Sequence, residues 1–352
     1  MNLAELRGEI DRVDSEILKL LSRRMELALR TGKFKADPVD PPRERAVIEG
    51  IRNQSRGLIR PEFSEGIFQS VVGEARKLQE EGLSLVGFQG EHGAHSEVAI
   101  RALNPCWIPI PCGEFAEVFE GVQRGELDLG VVPVENSLEG AVTAVNDLLV
   151  EGELKIKGEV RVPIHHALLA LPDTDIRELR GAYSHPQALA QCRGFLSRNK
   201  LEPRPFYDTA GAAMMLARER LKGAAAIASG LCAELYGLEV LKEAVEDHES
   251  NSTRFIVLSR EPSGEEGDKC SLVFSTQHRA GALYGVLRIF SEAGINLTRI
   301  ESRPIRNNPG QYAFLLDFSG SDREPRVGEV LAKVEQETEG FKYLGSYKEA
   351  GS

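Results

Sequence analysis

Leu3, Leu6, Ile10, Val13, Ile17 and Leu20 recur every three or four residues, a spacing that makes one continuous face only in an α-helix. This stripe constrains folding most because it runs on into charge. The next seam position is Arg24, followed by Leu27 and Thr31. Lys35 lies eleven residues beyond Arg24 and is rotated from it by roughly 20° at 3.6 residues per turn. Two cations on a face meant for burial are costly unless an anion meets them. A second helical stretch places Glu44 ahead of Val47, Ile48 and Ile51, and a third places Gln79 after Phe68, Val72 and Ala75. Polar groups converging on one helical interior need partners. They imply a small dianionic ligand.

The pattern then changes. Residues 1–82 are poor in glycine and helical in period, whereas residues 83–262 alternate short apolar runs with helical stretches and Gly/Pro turns, which predicts an α/β region. Residues 261–269 (EPSGEEGDK) form a polar linker. Residues 269–349 read strand, helix, strand, strand, helix, strand, an α+β unit. A chain of 352 residues can supply a core to each of these domains. The net charge is −11, and residues 1–82 balance 15 Lys and Arg against 15 Asp and Glu, so the acidity lies in the rest of the chain. That balance speaks against nucleic acid as a partner. No apolar run is long enough for a membrane span, and the N-terminus lacks the apolar core of a signal peptide. The five cysteines are scattered without a CxxC pair, the usage of free thiols in a cytoplasmic protein.

The α/β region carries three similar layouts. Val131 to Ser137 is a strand ending in polar residues, Glu135, Asn136 and Ser137. Gly181 to Gln187 is a short strand with Ser184 and His185, running into a helix with Gln191. Asn251 to Phe255 holds Thr253 and Arg254 just before the strand Ile256–Leu258. Ligands of open α/β sheets bind beyond strand ends. Together these segments offer hydroxyls, amides and one Arg, but no Ser-His-Asp order and no cysteine nucleophile, a set suited to holding a polar acid. The glycine-bearing turn Gly90 to Ser96 is expected to open a helix with Ser96 as its cap. Its His92 and His95 lack a third ligand, so neither a metal nor a cofactor is expected.

The N-terminal block resembles the all-helical chorismate mutases. The matching stretches are Leu6-Arg7, Arg23 to Ala28, Gly32 to Lys35, Asp40 to Glu44 and the Gln79 end of the third helix. The resemblance implies an intertwined dimer of three-helix chains. Arg7 would reach into the partner's site, Arg24 and Arg43 would bind the carboxylates of chorismate, Lys35 and Gln79 would bond its ether oxygen, and Glu44 its ring hydroxyl, with Asp40 at the same polar end. Ala75 stands where that family commonly has serine, and the loop from Lys35 to Asp40 is shorter than is typical. The rearrangement needs no nucleophile, so cationic and amide donors suffice to hold the compact conformer and the charge growing on the ether oxygen.

Residues 83 to about 260 resemble prephenate dehydratase, through Pro133 to Gly140, Ser184 to Gln187, Gln191-Cys192, Tyr207 to Ala210 and Asn251 to Phe255. This implies two α/β lobes similar to periplasmic binding proteins, with Asn136, Ser184, Gln191, Thr253 and Arg254 in the cleft for prephenate. Crossings between lobes are expected near Pro163 and Glu249. The C-terminal order is that of an ACT domain, βαββαβ, which pairs side by side. Gly281-Ala282-Leu283-Tyr284 and Glu301-Ser302-Arg303-Pro304 are similar to motifs of phenylalanine-regulated dehydratases, implying an effector site at Gly281, Ala282, Leu283, Glu301 and Ser302 and a homodimer or larger homo-oligomer. Two other readings remain open: an arogenate dehydratase, and a non-catalytic ligand-binding regulator.

Overall fold

The structure is a computed structural model that describes residues 2–35, 37, 39–248, 250–277, 279–305 and 311–349. The chain divides into two units, residues 1–85 with 125–127, and the remainder.

The first unit is built on helices α1 (Leu3–Gly32), α2 (Pro41–Gln54) and α3 (Pro61–Glu80). Asn2 and Glu5 form a reciprocal capping box on α1. Asp40 caps α2 by accepting from the Arg43 N–H at 3.1 Å, ahead of two prolines that need no partner for their missing N–H. A Cβ on Gly32 would lie 3.0 Å from the Gln79 side chain, so glycine there permits α1 and α3 to approach closely. The apolar stripe of α1, which its pattern assigns to an interior, is open in the single chain: Ile10, Val13 and Leu20 are 58%, 54% and 68% exposed. A 30-residue helix is about 45 Å long, and α2 and α3, at 14 and 20 residues, are too short to cover it.

The second unit contains the strands β1 (Leu85–Gln89), β2 (Ile108–Cys112), β3 (Leu129–Asn136), β4 (Gly140–Ala141), β5 (Lys155–Pro163), β6 (Ala167–Ala170), β7 (Gly181–Ser184), β8 (Glu202–Pro205), β9 (Ala224–Ala228), β10 (Glu239–Lys242) and β11 (Ser252–Ser259). One sheet runs β2-β1-β3-β11-β5, with β4 beside β3, and the other runs β10-β6-β9-β7-β8. The chain therefore crosses between sheets after Pro163 and again after Lys242, as the two-lobed expectation requires. Glu249 itself lies outside the described residues. The helix after β1 is His95–Leu103, and it starts at Ala94 with no side-chain cap. Ser96 lies inside its first turn and is not the cap. The fully buried Glu97 accepts from the Gly93 N–H at 2.8 Å, lies 3.0 Å from His92 Nδ1, and is bonded by Arg101.

The C-terminal module follows as β12 (Lys269–Ser275), helix Ala282–Glu292, β13 (Leu297–Pro304), β14 (Tyr312–Ser319), helix Pro325–Glu337 and β15 (Gly340–Tyr347), in the sheet order β13-β14-β12-β15. It grips the helix Thr143–Glu151 of the preceding region. Lys342 Nζ donates to the carbonyls of Leu149, Val150 and Gly152 at that helix's C-terminal end, where cations are favoured. Arg299 donates to Asn146, and Arg303 to Asp147.

Candidate functional site

In the helical unit a cavity of about 210 Å³ is lined by Arg24, Ala28, Thr31, Lys35, Asp40, Arg43, Glu44, Val47, Val72, Ala75, Arg76 and Gln79. Six of the seven residues expected to hold chorismate meet there. Arg7, the exception, is seventeen residues up α1 from Arg24, roughly 25 Å away. Four cations, Arg24, Lys35, Arg43 and Arg76, face two carboxylates, Asp40 and Glu44, so the lining carries a net charge of +2. Among the described residues Arg24 Nη1 is buried without a hydrogen-bond partner, and burial lowers the guanidinium from its ordinary value. A buried donor of this kind is an open valence for an anion. Gln79 donates to the Ala28 carbonyl, which fixes its amide at the wall. Arg76, 3.9 Å from Glu44, was missed in the sequence. Its position three residues before Gln79, hence on the same helix face, was the signal for it.

In the two-lobed region Thr253 on β11 stands directly across from Asn136 on β3. Asn136 Nδ2 donates to Thr253 Oγ1 at 2.9 Å and to Asn251 Oδ1 at 2.8 Å, and its Oδ1 accepts from the N–H groups of Leu138 and Glu139. Both donors and both acceptor positions of this amide are thus used. The β3–β11 register shifts between Arg254 and Phe255, opposite Glu135 and Pro133. Such a bulge bends the strand end that carries Asn136. Gln191 joins this cluster from the other lobe: its Nε2 donates to Glu139, and its Oε1 accepts from His166 Nε2, each at 2.8 Å. The sequence did not single out Asn251 or His166 as site residues. Asn251 is 1% and His166 3% exposed, and each has a buried nitrogen, Nδ2 and Nδ1, with no partner among the described residues.

Two expected cleft residues behave differently. Ser184 is fully buried and donates to the Ile227 carbonyl on the neighbouring strand. Arg254 is 2% exposed and points the other way: it bonds Glu159, Asp317 and Tyr347. The cause is a strand boundary. Read as a loop ahead of Ile256, the segment could turn both Thr253 and Arg254 into the cleft. The strand begins at Ser252, and consecutive strand residues face opposite sides. Glu135 precedes Asn136 on β3 and is turned from it by the same rule. His185 caps the helix Pro186–Gln191, its ring accepting from the Gln187 N–H.

In the C-terminal module Gly281, at φ +83°, precedes the helix beginning at Ala282, a conformation that favours glycine. Leu283 packs against the module's core, while Tyr284 is 67% exposed. Along β13 half-buried and exposed residues alternate. Arg299, Glu301 and Arg303 share the inner side, and Ile300 and Ser302 the outer.

Three family models match in succession: chorismate mutase type II over residues 6–80, prephenate dehydratase over 86–263 and the ACT domain over 271–336. A bifunctional chorismate mutase/prephenate dehydratase of Aquifex aeolicus (strain VF5) is 35% identical over 362 residues, covering 99% of this chain and 98% of that one. The chain belongs to the bifunctional chorismate mutase/prephenate dehydratase family. Over 74% of its length it is also 41% identical to a chloroplastic arogenate dehydratase/prephenate dehydratase of Arabidopsis thaliana, across 68% of that protein. A crystal structure of prephenate dehydratase from Arthrobacter aurescens in complex with L-Phe superposes with a TM-score of 0.70 at 35% identity, covering 76% of this chain and 90% of that one.

A bifunctional mutase/dehydratase is an isomerase and a lyase in one chain, which sets aside the reading as a non-catalytic regulator. The two sites are built from opposite materials. The cavity in the helical unit is lined by four cations and two carboxylates. The cluster around Thr253 is mostly amides and hydroxyls, with His166 and the Glu139 carboxylate beside Gln191, and the Thr253 oxygen already accepts from Asn136. No described helix is long and apolar enough to cross a membrane.

Proposed function

We propose that chorismate rearranges to prephenate in the helical cavity, and that prephenate then loses its ring hydroxyl and CO2 beside Thr253 to give phenylpyruvate. The observation that carries the first half is the unpartnered Arg24 Nη1 in a cavity of net charge +2, which suits a dicarboxylate. Arg24 and Arg43 take the carboxylates. Lys35 and Gln79 meet the ether oxygen as negative charge builds on it. Glu44, with Asp40 at the same end, meets the ring hydroxyl. Arg7 comes from the partner of a dimer: it lies too far along α1 to serve its own cavity, and the open stripe of that helix gives a second copy an apolar face to cover.

In the dehydratase the lattice supports a positioning role for Asn136. Thr253 Oγ1 accepts from Asn136, so its own proton is directed elsewhere, toward the departing hydroxyl. An alkyl hydroxyl is a weak acid, and its part is to hydrogen-bond the leaving oxygen while aromatisation drives loss of CO2. Asn251 Nδ2 and Gln191 supply the remaining polar contacts, and Ser184 steadies β7. Prephenate is favoured over arogenate because the fused mutase makes it. Phenylalanine, bound at the Gly281 turn and the Glu301-Ser302 strand between paired C-terminal modules, inhibits the dehydratase. Residues 1–82, 83–262 and 269–349 are the corresponding domains, and free cysteines suit a cytoplasmic enzyme. Supplying chorismate alone and following the ultraviolet absorbance of phenylpyruvate tests the reading. Prephenate accumulating without phenylpyruvate would overturn the second half, and unchanged chorismate the first.

A further inference from the structure

The Arg254 guanidinium lies in a closed ring of hydrogen bonds that spans two domains. Its Nη1 donates to Asp317 Oδ2 at 2.6 Å, and its Nη2 donates to the Tyr347 hydroxyl at 3.0 Å. Ser271 Oγ lies 2.6 Å from both Asp317 Oδ1 and the Tyr347 hydroxyl. A carboxylate can only accept and a guanidinium can only donate, so every proton in the ring is placed. Arg254 gives to Tyr347, Tyr347 gives to Ser271, and Ser271 gives to Asp317, which also takes Arg254 directly. The Arg254 Nε bonds Glu159 at 2.6 Å, and Lys269 Nζ bonds the same Glu159 at 3.1 Å. Arg254, Asp317, Ser271, Tyr347 and Lys269 are each at most 3% exposed. Burial alone would raise the Asp317 carboxyl, but Arg254 and Arg299 hold it below its ordinary value.

Arg254 and Glu159 belong to the dehydratase sheet, whereas Asp317, Ser271 and Tyr347 belong to three strands of the C-terminal module. Arg254 follows Thr253 on β11, and Thr253 meets Asn136. We propose that Asp317 is a positioning residue for the dehydratase: by anchoring Arg254 it fixes the start of β11 and, with it, the direction of the Thr253 hydroxyl. This rests on Thr253 serving the dehydration. The sensor module thereby completes the dehydratase, and a shift of its sheet reaches Thr253 through the buried contacts of Arg254, of which the Asp317 ion pair carries the charge.

The full-length chain is assayed on added prephenate, with its mutase rate as an internal control. Asp317→Asn keeps the shape and removes the charge. It should lower the dehydratase kcat at least about tenfold with KM within about twofold, the pattern of a lost transition-state contact, and leave the mutase rate unchanged. Tyr347→Phe opens the ring without removing a charge, and should act in the same direction by about threefold. Wild-type kcat in both variants, with Thr253→Ala inactive, overturns the inference alone. An active Thr253→Ala overturns the reading of the cleft instead. A fall in kcat matched by a rise in KM and loss of the folded state in both variants means that the ring only holds the domains together, and also overturns it.

Discussion

Asn136 and Thr253 face each other across the antiparallel ladder of β3 and β11, and the Asn136 amide donates to the Thr253 hydroxyl at 2.9 Å. An amide with all its hydrogen-bonding positions filled acts by where it holds its neighbour. Asn136→Asp is nearly isosteric but turns that donor into an acceptor, so the Thr253 proton is drawn toward the new carboxylate and away from the substrate. The dehydratase kcat should fall by about 2–4 kcal/mol of barrier, roughly 30- to 1,000-fold. Thr253→Ser should retain far more activity than Thr253→Ala. Equal rates for those two variants would show that the hydroxyl is not used.

Arg24→Ala and Lys35→Ala should abolish turnover of chorismate while turnover of added prephenate survives. Each removes a charge-assisted contact of several kcal/mol, so the loss should far exceed tenfold. Joint loss of both activities with an intact circular dichroism spectrum would sink the two-site assignment.

Asn251 Nδ2, in the proposed dehydratase cluster, is a buried donor without a partner among the described residues. Asn251→Asp preserves an acceptor for Asn136 and replaces the donor by a negative charge. The KM for prephenate, a dianion, should rise by at least about tenfold, as expected of a buried hydrogen bond to a charged group. An unchanged KM in steady-state assays would remove Asn251 from the substrate site.

Gly281→Val forces a branched side chain into a left-handed conformation, and Ser302→Ala removes a hydroxyl from the outer side of β13. Both should weaken inhibition by phenylalanine with little loss of basal dehydratase rate, since a coupling of about 1–3 kcal/mol is all that feedback requires. Calorimetry on the full-length chain showing no phenylalanine binding would exclude the sensor.

Burial brings His95 down to about 4 and also lowers His166 from the ordinary 6.5. Both rings stay neutral in the folded chain at pH values where the unfolded chain protonates them. Stability is therefore full above pH 6.5 and is lost as the pH falls from 6.5 toward 4, by about 2–3 kcal/mol for His95. Urea midpoints across that window should shift less in His95→Gln. An equal slope in that variant would place the acid sensitivity elsewhere.

The sequence alone determined the order of the domains and most of the residues that line the helical cavity. The cavity residues from Arg24 to Glu44, with Gln79, lie on helices or near their ends, so Arg24 could be placed by counting, whereas Lys35 lies past the end of α1 at Gly32 and reaches the cavity from the turn that follows, where helical counting no longer applies. The same counting put the stripe from Leu3 to Leu20 in an interior, but burial depends on what else is present, and in one chain that stripe is open. Direction in the dehydratase depended on strand boundaries. Starting β11 at Ser252 instead of near Ile256 sends Thr253 to Asn136 and Arg254 to Asp317, and a shift of one residue would exchange them. The ring joining Arg254, Tyr347, Ser271 and Asp317 was decided only by tertiary structure. Its members lie as many as 93 residues apart on four strands, and each alone is an ordinary polar residue. Only docking the C-terminal sheet against the dehydratase sheet buries them together, and burial makes the hydrogen bonds among them obligatory.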